Sequence, residues 1–164
     1  MEDAFHPVAS QIEDVLREHG FWYERFEHVP VRTSEEAARE RPEYNISQGS
    51  KALIVKAKKS GEEKRFIMVV VPGDRQFDTK KLKTETGYGD VRFASPEEVA
   101  EITHGVLPGG VPPWGNLFGL PVIADTHVFH NKKIIFNAGD RRVSIGMYAK
   151  DYLVLAAPHI ADIT

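Results

Sequence analysis

Apolar positions near the start of the chain fall at Val8, Ile12, Val15 and Leu16, the spacing of one helical face, with Pro7 suited to a first turn and Gly20 beyond the end. The pattern predicts an amphipathic opening helix. FWYERFEHV (21–29) then reads as a strand, and Thr33 followed by Glu36 has the capping-box spacing of a second helix that must stop before Pro42. Two apolar runs, ALIVKAK (52–58) and FIMVVV (66–71), flank the polar KSGEEK and predict an antiparallel hairpin. Their nearly unbroken apolar character places both strands centrally. Asp78 is the expected cap of a short helix through KKLKTE that Gly87 ends, and Ser95, Pro96 and Glu98 mark another helix ending near Gly105. After it come a short strand at LPVIAD, a second hairpin in which KKIIFN and RVSIGM flank AGDR, and a closing helix at YAKDYLVLA.

Strands and helices are mixed without the regular alternation of a doubly wound sheet, so the expected fold is α+β: one compact domain over residues 1–164, with a mixed, mostly antiparallel sheet flanked by helices. A chain of 164 residues buries roughly 70% of its unfolded surface, enough for a core without staples. Cysteine is absent, which excludes disulfides, thiolate catalysis and Cys-based zinc sites. The acidic amino terminus and the lack of a run of ~20 apolar residues give no sign of a signal peptide or membrane span, and the expected location is the cytoplasm. A formal charge of −3 argues against gripping DNA over many phosphates. A nucleic acid touched only at its tip remains compatible.

The familiar catalytic signatures are missing. There is no GxSxG elbow, no Walker loop, no HExxH and no strand followed by GxGxxG. His127 and His130 have i,i+3 spacing, but VIADTHVFHN is strand-like or looped and brings no matching carboxylates, so no metal is expected. His104 can be read as a general base or as a histidine favoured by a helix C-terminus. Lys51 follows Gly49 and Ser50 and opens an apolar strand, so its ammonium projects from a strand end, either toward a phosphate or carboxylate or simply into solvent. Lys56, on the same strand, falls on the opposite face. HGVLPGGVPPWGN (104–116) offers main-chain N–H groups in place of side chains. Gly109 and Gly110 open the backbone to a ligand while Pro108, Pro112 and Pro113 stiffen it, which suits an anion nest or oxyanion hole; the alternative is a surface turn anchored by Trp114 and Leu117.

The ordered set SKALIVK, FIMVVV, GVLPGGVPPWG, LPVIAD and IIFNAGDRRVSI resembles the YbaK/ProX-like aminoacyl-tRNA deacylases, relatives of the editing domain of bacterial prolyl-tRNA synthetases. The resemblance covers most of the chain. It implies a barrel-like mixed sheet and hydrolysis of the ester of a mischarged tRNA, with tRNA(Pro) the first candidate, without metal or cofactor. It also implies that Lys51 contacts the terminal adenosine or its phosphate, and that Gly105, Pro108, Gly109, Gly110 and Pro113 lie on the loop lining the aminoacyl pocket. Gly109 and Gly110 would supply the oxyanion donors to a water attack, assisted by a substrate ribose hydroxyl, while Asn137, Ala138 and Gly139 would line the same pocket. Such a reaction needs no protein nucleophile. Two departures, Phe26 in place of a tyrosine and Ser144 in place of an acidic residue, speak against a cysteine-specific pocket. They also motivate an alternative, a non-catalytic module that binds tRNA or a synthetase. The implied partner is the tRNA acceptor end, with a synthetase as a second partner and Lys56, Lys58, Lys59, Arg141 and Arg142 as backbone contacts.

Overall fold

The computed structural model describes residues 4–31 and 33–164, so Met1 to Asp3 of the acidic amino terminus lie outside it. The opening helix α1 spans Val8–Glu18 and buries Val8, Ile12 and Leu16 against the small sheet described below. Strand β1 follows at Tyr23–Glu27, shorter than the apolar pattern suggested. Helix α2, Ser34–Glu40, begins where the Thr33 hydroxyl accepts the Glu36 N–H at 3.0 Å, and Arg41 ends it just before Pro42. Strands β2 (Ser50–Lys58) and β3 (Arg65–Pro72) form the expected antiparallel hairpin. Their apolar runs are unbroken because both faces are covered. Ile54, Met68 and Val70 face the main core, whereas Val55, Ile67, Val69 and Val71 face Leu82 of helix α3 (Thr79–Thr86) and Ile163.

Strand β4 (Gly89–Phe93) then pairs with β2, and helix α4 (Pro96–Thr103) starts from the complete capping box of Ser95 and Glu98. Strand β5 (Val122–Asp125) runs parallel to β3, strands β6 (Lys133–Asn137) and β7 (Val143–Tyr148) form the second hairpin, and helix α5 (Ala149–Ala156) leads to a last short strand, β8 (His159–Ala161). The strands make two sheets, ordered β1-β7-β6 and β4-β2-β3-β5-β8. Four of the six strand pairings are antiparallel, so the mixed, mostly antiparallel α+β reading holds. The barrel-like expectation is replaced by two open sheets: among the described residues a single bridge, Gly49 to Ile135, links them, and the ladder does not close. That bridge matters for the site, because beside it opens a cleft.

Candidate active site

The cleft, about 220 Å³, lies between the start of β2, helix α2, the end of β6 and the glycine-proline loop. Lys51 stands at its edge on β2, exposed, and its ammonium has no hydrogen bond or ion pair among the described residues. Arg41 lines the same cleft from the end of α2, yet it is only 6% exposed. Its Nε donates to the Ala37 carbonyl at 3.1 Å and its Nη1 to Ser144 Oγ at 3.0 Å; Nη2 has no partner among the described residues. Burial pulls the Arg41 guanidinium down from the usual arginine range to about 10. Among the described residues no aspartate or glutamate lines the cleft. Two cations without a carboxylate make a site for a negatively charged or oxygen-rich ligand.

The loop is built as a turn of defined type. Gly110 N–H donates to the Leu107 carbonyl at 2.9 Å, and with Pro108 and then Gly109 at φ 89° the corners fit a type II turn. The side chain of Arg141 holds the Pro108 carbonyl, its Nε donating at 2.9 Å and its Nη2 also in contact. A trans peptide points its N–H opposite to its carbonyl, so the Gly109 N–H is aimed away from Arg141; it has no hydrogen-bond partner among the described residues. Asn137 Nδ2 donates to the Gly109 carbonyl at 2.7 Å, tying the loop to β6. The two expected oxyanion donors are therefore arranged differently. Gly109 lines the cleft and its N–H has no hydrogen-bond partner among the described residues, whereas the Gly110 N–H is used within the turn and its carbonyl accepts from Gly139 at 2.7 Å.

Of the other residues expected at the site, Asn137 lines the cleft, and Ala138 and Gly139 are buried behind it. Gly139, at φ 94°, is required by packing: a Cβ there would collide with Val8 Cγ1, so the hairpin turn rests on the first residue of α1. Gly105 is exposed after α4, at φ 103° behind the left-handed His104, where it ends the helix. Pro108 sits in the turn beneath Arg141, and Pro113 is buried with its carbonyl accepting the Tyr152 hydroxyl at 2.6 Å. These are supports of the loop and not part of the cleft wall. Trp114 is 1% exposed and packs near Phe136 and Tyr152, as an anchor would. His127 Nδ1 lies 2.9 Å from Asp125, whose carboxylate also accepts from the Ile163 N–H and the Thr164 hydroxyl. Asp162 completes a group of donors within 4.8 Å, but Asp125 serves there as a tie for the carboxyl-terminal segment.

Residues that the pattern did not mark lie beneath the cleft. Ser144, 0% exposed, is the hub: besides Arg41 it meets His28 Nε2 at 2.7 Å and Asn137 Oδ1 at 3.4 Å. His28 Nδ1 lies 2.8 Å from the Val29 carbonyl, which only an N–H satisfies. The departure at position 144 is thus the group that seats Arg41. Helical spacing could have found this arginine, since Arg41 lies four residues after Ala37, the buried position of α2. Phe26 packs edge-on to Tyr44 on the same face of the small sheet.

A compact α+β frame here holds a cleft lined by two cations and, among the described residues, by no carboxylate, an arrangement suited to an anionic ligand. The chain belongs to the aminoacyl-tRNA editing domain family, whose model matches residues 28–155. It is 33% identical over 118 residues to the multifunctional Ser/Thr-tRNA deacylase ProXp-y of Escherichia coli strain K12, covering 71% of this chain and 70% of that protein. A segment of the proline–tRNA ligase of Stenotrophomonas maltophilia strain R551-3 is 31% identical over 105 residues, 63% of this chain and 18% of the ligase. A crystal structure provisionally described as a trans-editing enzyme for prolyl-tRNA synthetase superposes with a TM-score of 0.80 at 28% identity, covering 98% of this chain and 99% of that one. Among the described residues no helix is long and apolar enough to cross a membrane.

Proposed function

We propose that this chain is a trans-editing deacylase that removes a small, wrongly attached amino acid from a tRNA, with tRNA(Pro) the first carrier to test. The observation that carries the reading is the pairing of Lys51 and the free Gly109 N–H across one cleft that holds no carboxylate among the described residues. In the proposed reaction Lys51 holds the terminal adenosine or its phosphate, and water attacks the aminoacyl carbonyl. The Gly109 N–H receives the developing oxyanion, and the ester oxygen leaves with a proton relayed through the neighbouring ribose hydroxyl. Gly110 acts by closing the turn, and Arg141 and Asn137 hold the Gly109 peptide in place. The cleft volume of about 220 Å³ and its polar wall of Ser34, Thr33 and Asn45 support a small side chain bearing a hydroxyl, with Arg41 behind them.

The test is the half-life of seryl, threonyl, alanyl and cysteinyl esters on tRNA(Pro) and on each amino acid's own tRNA, with and without the purified protein. Accelerated hydrolysis of the seryl or threonyl ester is expected. If none of the panel is hydrolysed faster than in buffer, the deacylase reading fails, and a module that binds tRNA without cleaving it takes its place.

A further inference from the structure

The small sheet carries a second feature on the face that holds the cleft. Side chains alternate along a strand, so Lys133, Ile135 and Asn137 of β6 share one face, and Ile135 and Asn137 line the cleft. At the far end of that face Lys133 pairs in register with Tyr148, and Trp22 extends the row beside it, its ring centroid 5.1 Å from that of Tyr148. Lys133 Nζ lies 4.4 Å from the centre of the Trp22 ring and 5.7 Å from that of Tyr148, while Lys132 and Lys150 reach the Tyr148 ring at 5.9 and 5.7 Å. None of the three lysines has a carboxylate within ion-pair distance among the described residues. Beside them opens a groove of about 530 Å³, with Phe129, Ala149 and Leu153 among its walls and Lys132 and Lys150 beside them. Trp22 is 39% exposed.

Three ammonium groups gathered around one ring repel one another, and cation–π contact offsets this without neutralising the charge. The partner that completes such a surface is polyanionic and also carries flat apolar groups. A single strand of RNA has both: phosphates for the lysines and bases for the aromatic rings and the groove. An acidic protein surface would supply only the charge. Of the other basic residues expected to touch the RNA backbone, Arg141 is held on the Pro108 carbonyl and Arg142 on Asp140, while Lys56, Lys58 and Lys59 lie toward the other end of β2 and do not line the cleft. Four residue steps along the strand carry Lys133 to Asn137, roughly 13 Å, so a strand lying on this surface leads into the cleft.

We propose that Trp22, Tyr148, Lys132, Lys133 and Lys150 bind the single-stranded acceptor end of the tRNA just upstream of the aminoacylated nucleotide. The identity of that RNA rests on the deacylase reading; the RNA-binding surface does not. The probe is a fluorescently labelled, uncharged tRNA acceptor hairpin ending in its single-stranded 3′ tail, titrated by anisotropy at several salt concentrations. Replacing Lys132, Lys133 and Lys150 together by alanine should weaken binding about tenfold or more near 0.1 M salt and lower the log–log salt slope by about 2. Trp22→Ala should weaken it about fivefold or more and leave the slope unchanged. Circular dichroism and thermal melting check that both variants fold, and charge reversal at the exposed Lys132 and Lys150 serves if the triple variant does not. Wild-type affinity and slope in the triple or charge-reversed variant overturn the proposal and leave the surface to an acidic protein. If the wild type hydrolyses a mischarged tRNA with a KM that the lysine substitutions do not move, the surface is wrong and the deacylase reading stands. Lysine-dependent RNA binding without hydrolysis of any ester supports the surface and removes the deacylase reading.

Discussion

A buried arginine with no carboxylate beside it costs stability, and Arg41 is held in place by the Ala37 carbonyl and the Ser144 hydroxyl. Its folded pKa, about 10, lies below the ordinary arginine value. The unfolded chain therefore binds more protons between those values, so the cost is present in full below about pH 10 and is relieved only as pH rises from there toward the ordinary arginine value. Arg41→Met should accordingly leave the protein as stable as before or stabilise it by up to about 2 kcal/mol, constant across pH 6 to 9, while deacylation falls about tenfold or more. Urea denaturation and single-turnover deacylation measure the two effects. A loss of stability matching the loss of activity would make Arg41 a structural residue. Of the residues that line the cleft, Lys51 and Gly109 were legible in the sequence, because a strand-opening lysine and a proline-glycine pair carry their geometry locally, whereas Asn137 followed only from the family resemblance. The place of Arg41 on the buried face of α2 was there to be read from helical spacing, but its seat on Ser144 was not, since 103 residues separate the partners and nothing near either one signals the other.

At the scale of elements, local chemistry and long-range pairing part company. Helices α1, α3, α4 and α5 and both hairpins fall where periodicity, caps and turn residues placed them. Strands β4 and β8 carried no such signal: β4 has the sequence GDVRF and alternates poorly, and β8 has only three residues. Their existence depends on edges supplied by β2 and β5, which only the folded chain provides. Strand β8 is secured by Asp125, a fully buried carboxylate at the end of β5 that accepts the Ile163 N–H at 3.0 Å and the Thr164 hydroxyl at 3.1 Å. Asp125→Ala strands those donors and should cost about 2–4 kcal/mol in urea denaturation, with early hydrogen exchange of the Ile163 amide. A cost under about 1 kcal/mol, with that amide still protected, would show that β8 is held by its ladder with β5 alone.

In the whole molecule the two open sheets meet at the Gly49–Ile135 bridge, and the cleft forms there because α2 and the glycine-proline loop close over the gap from either side. The α+β class follows from the order of elements, whereas two sheets in place of a barrel is a consequence of which edges pair. The central claim is that the cleft on one side of β2 performs the hydrolysis, so two lysines of that strand provide the sharpest comparison. Lys51 opens into the cleft; Lys56 lies outside it, over the Phe66 ring. The measurement is the single-turnover rate of ester hydrolysis on whichever mischarged tRNA the panel identifies, for the wild type, Lys51→Ala and Lys56→Ala. The account predicts a loss of about tenfold or more for Lys51→Ala and a rate within about twofold of wild type for Lys56→Ala. Equal rates for the two variants would contradict it.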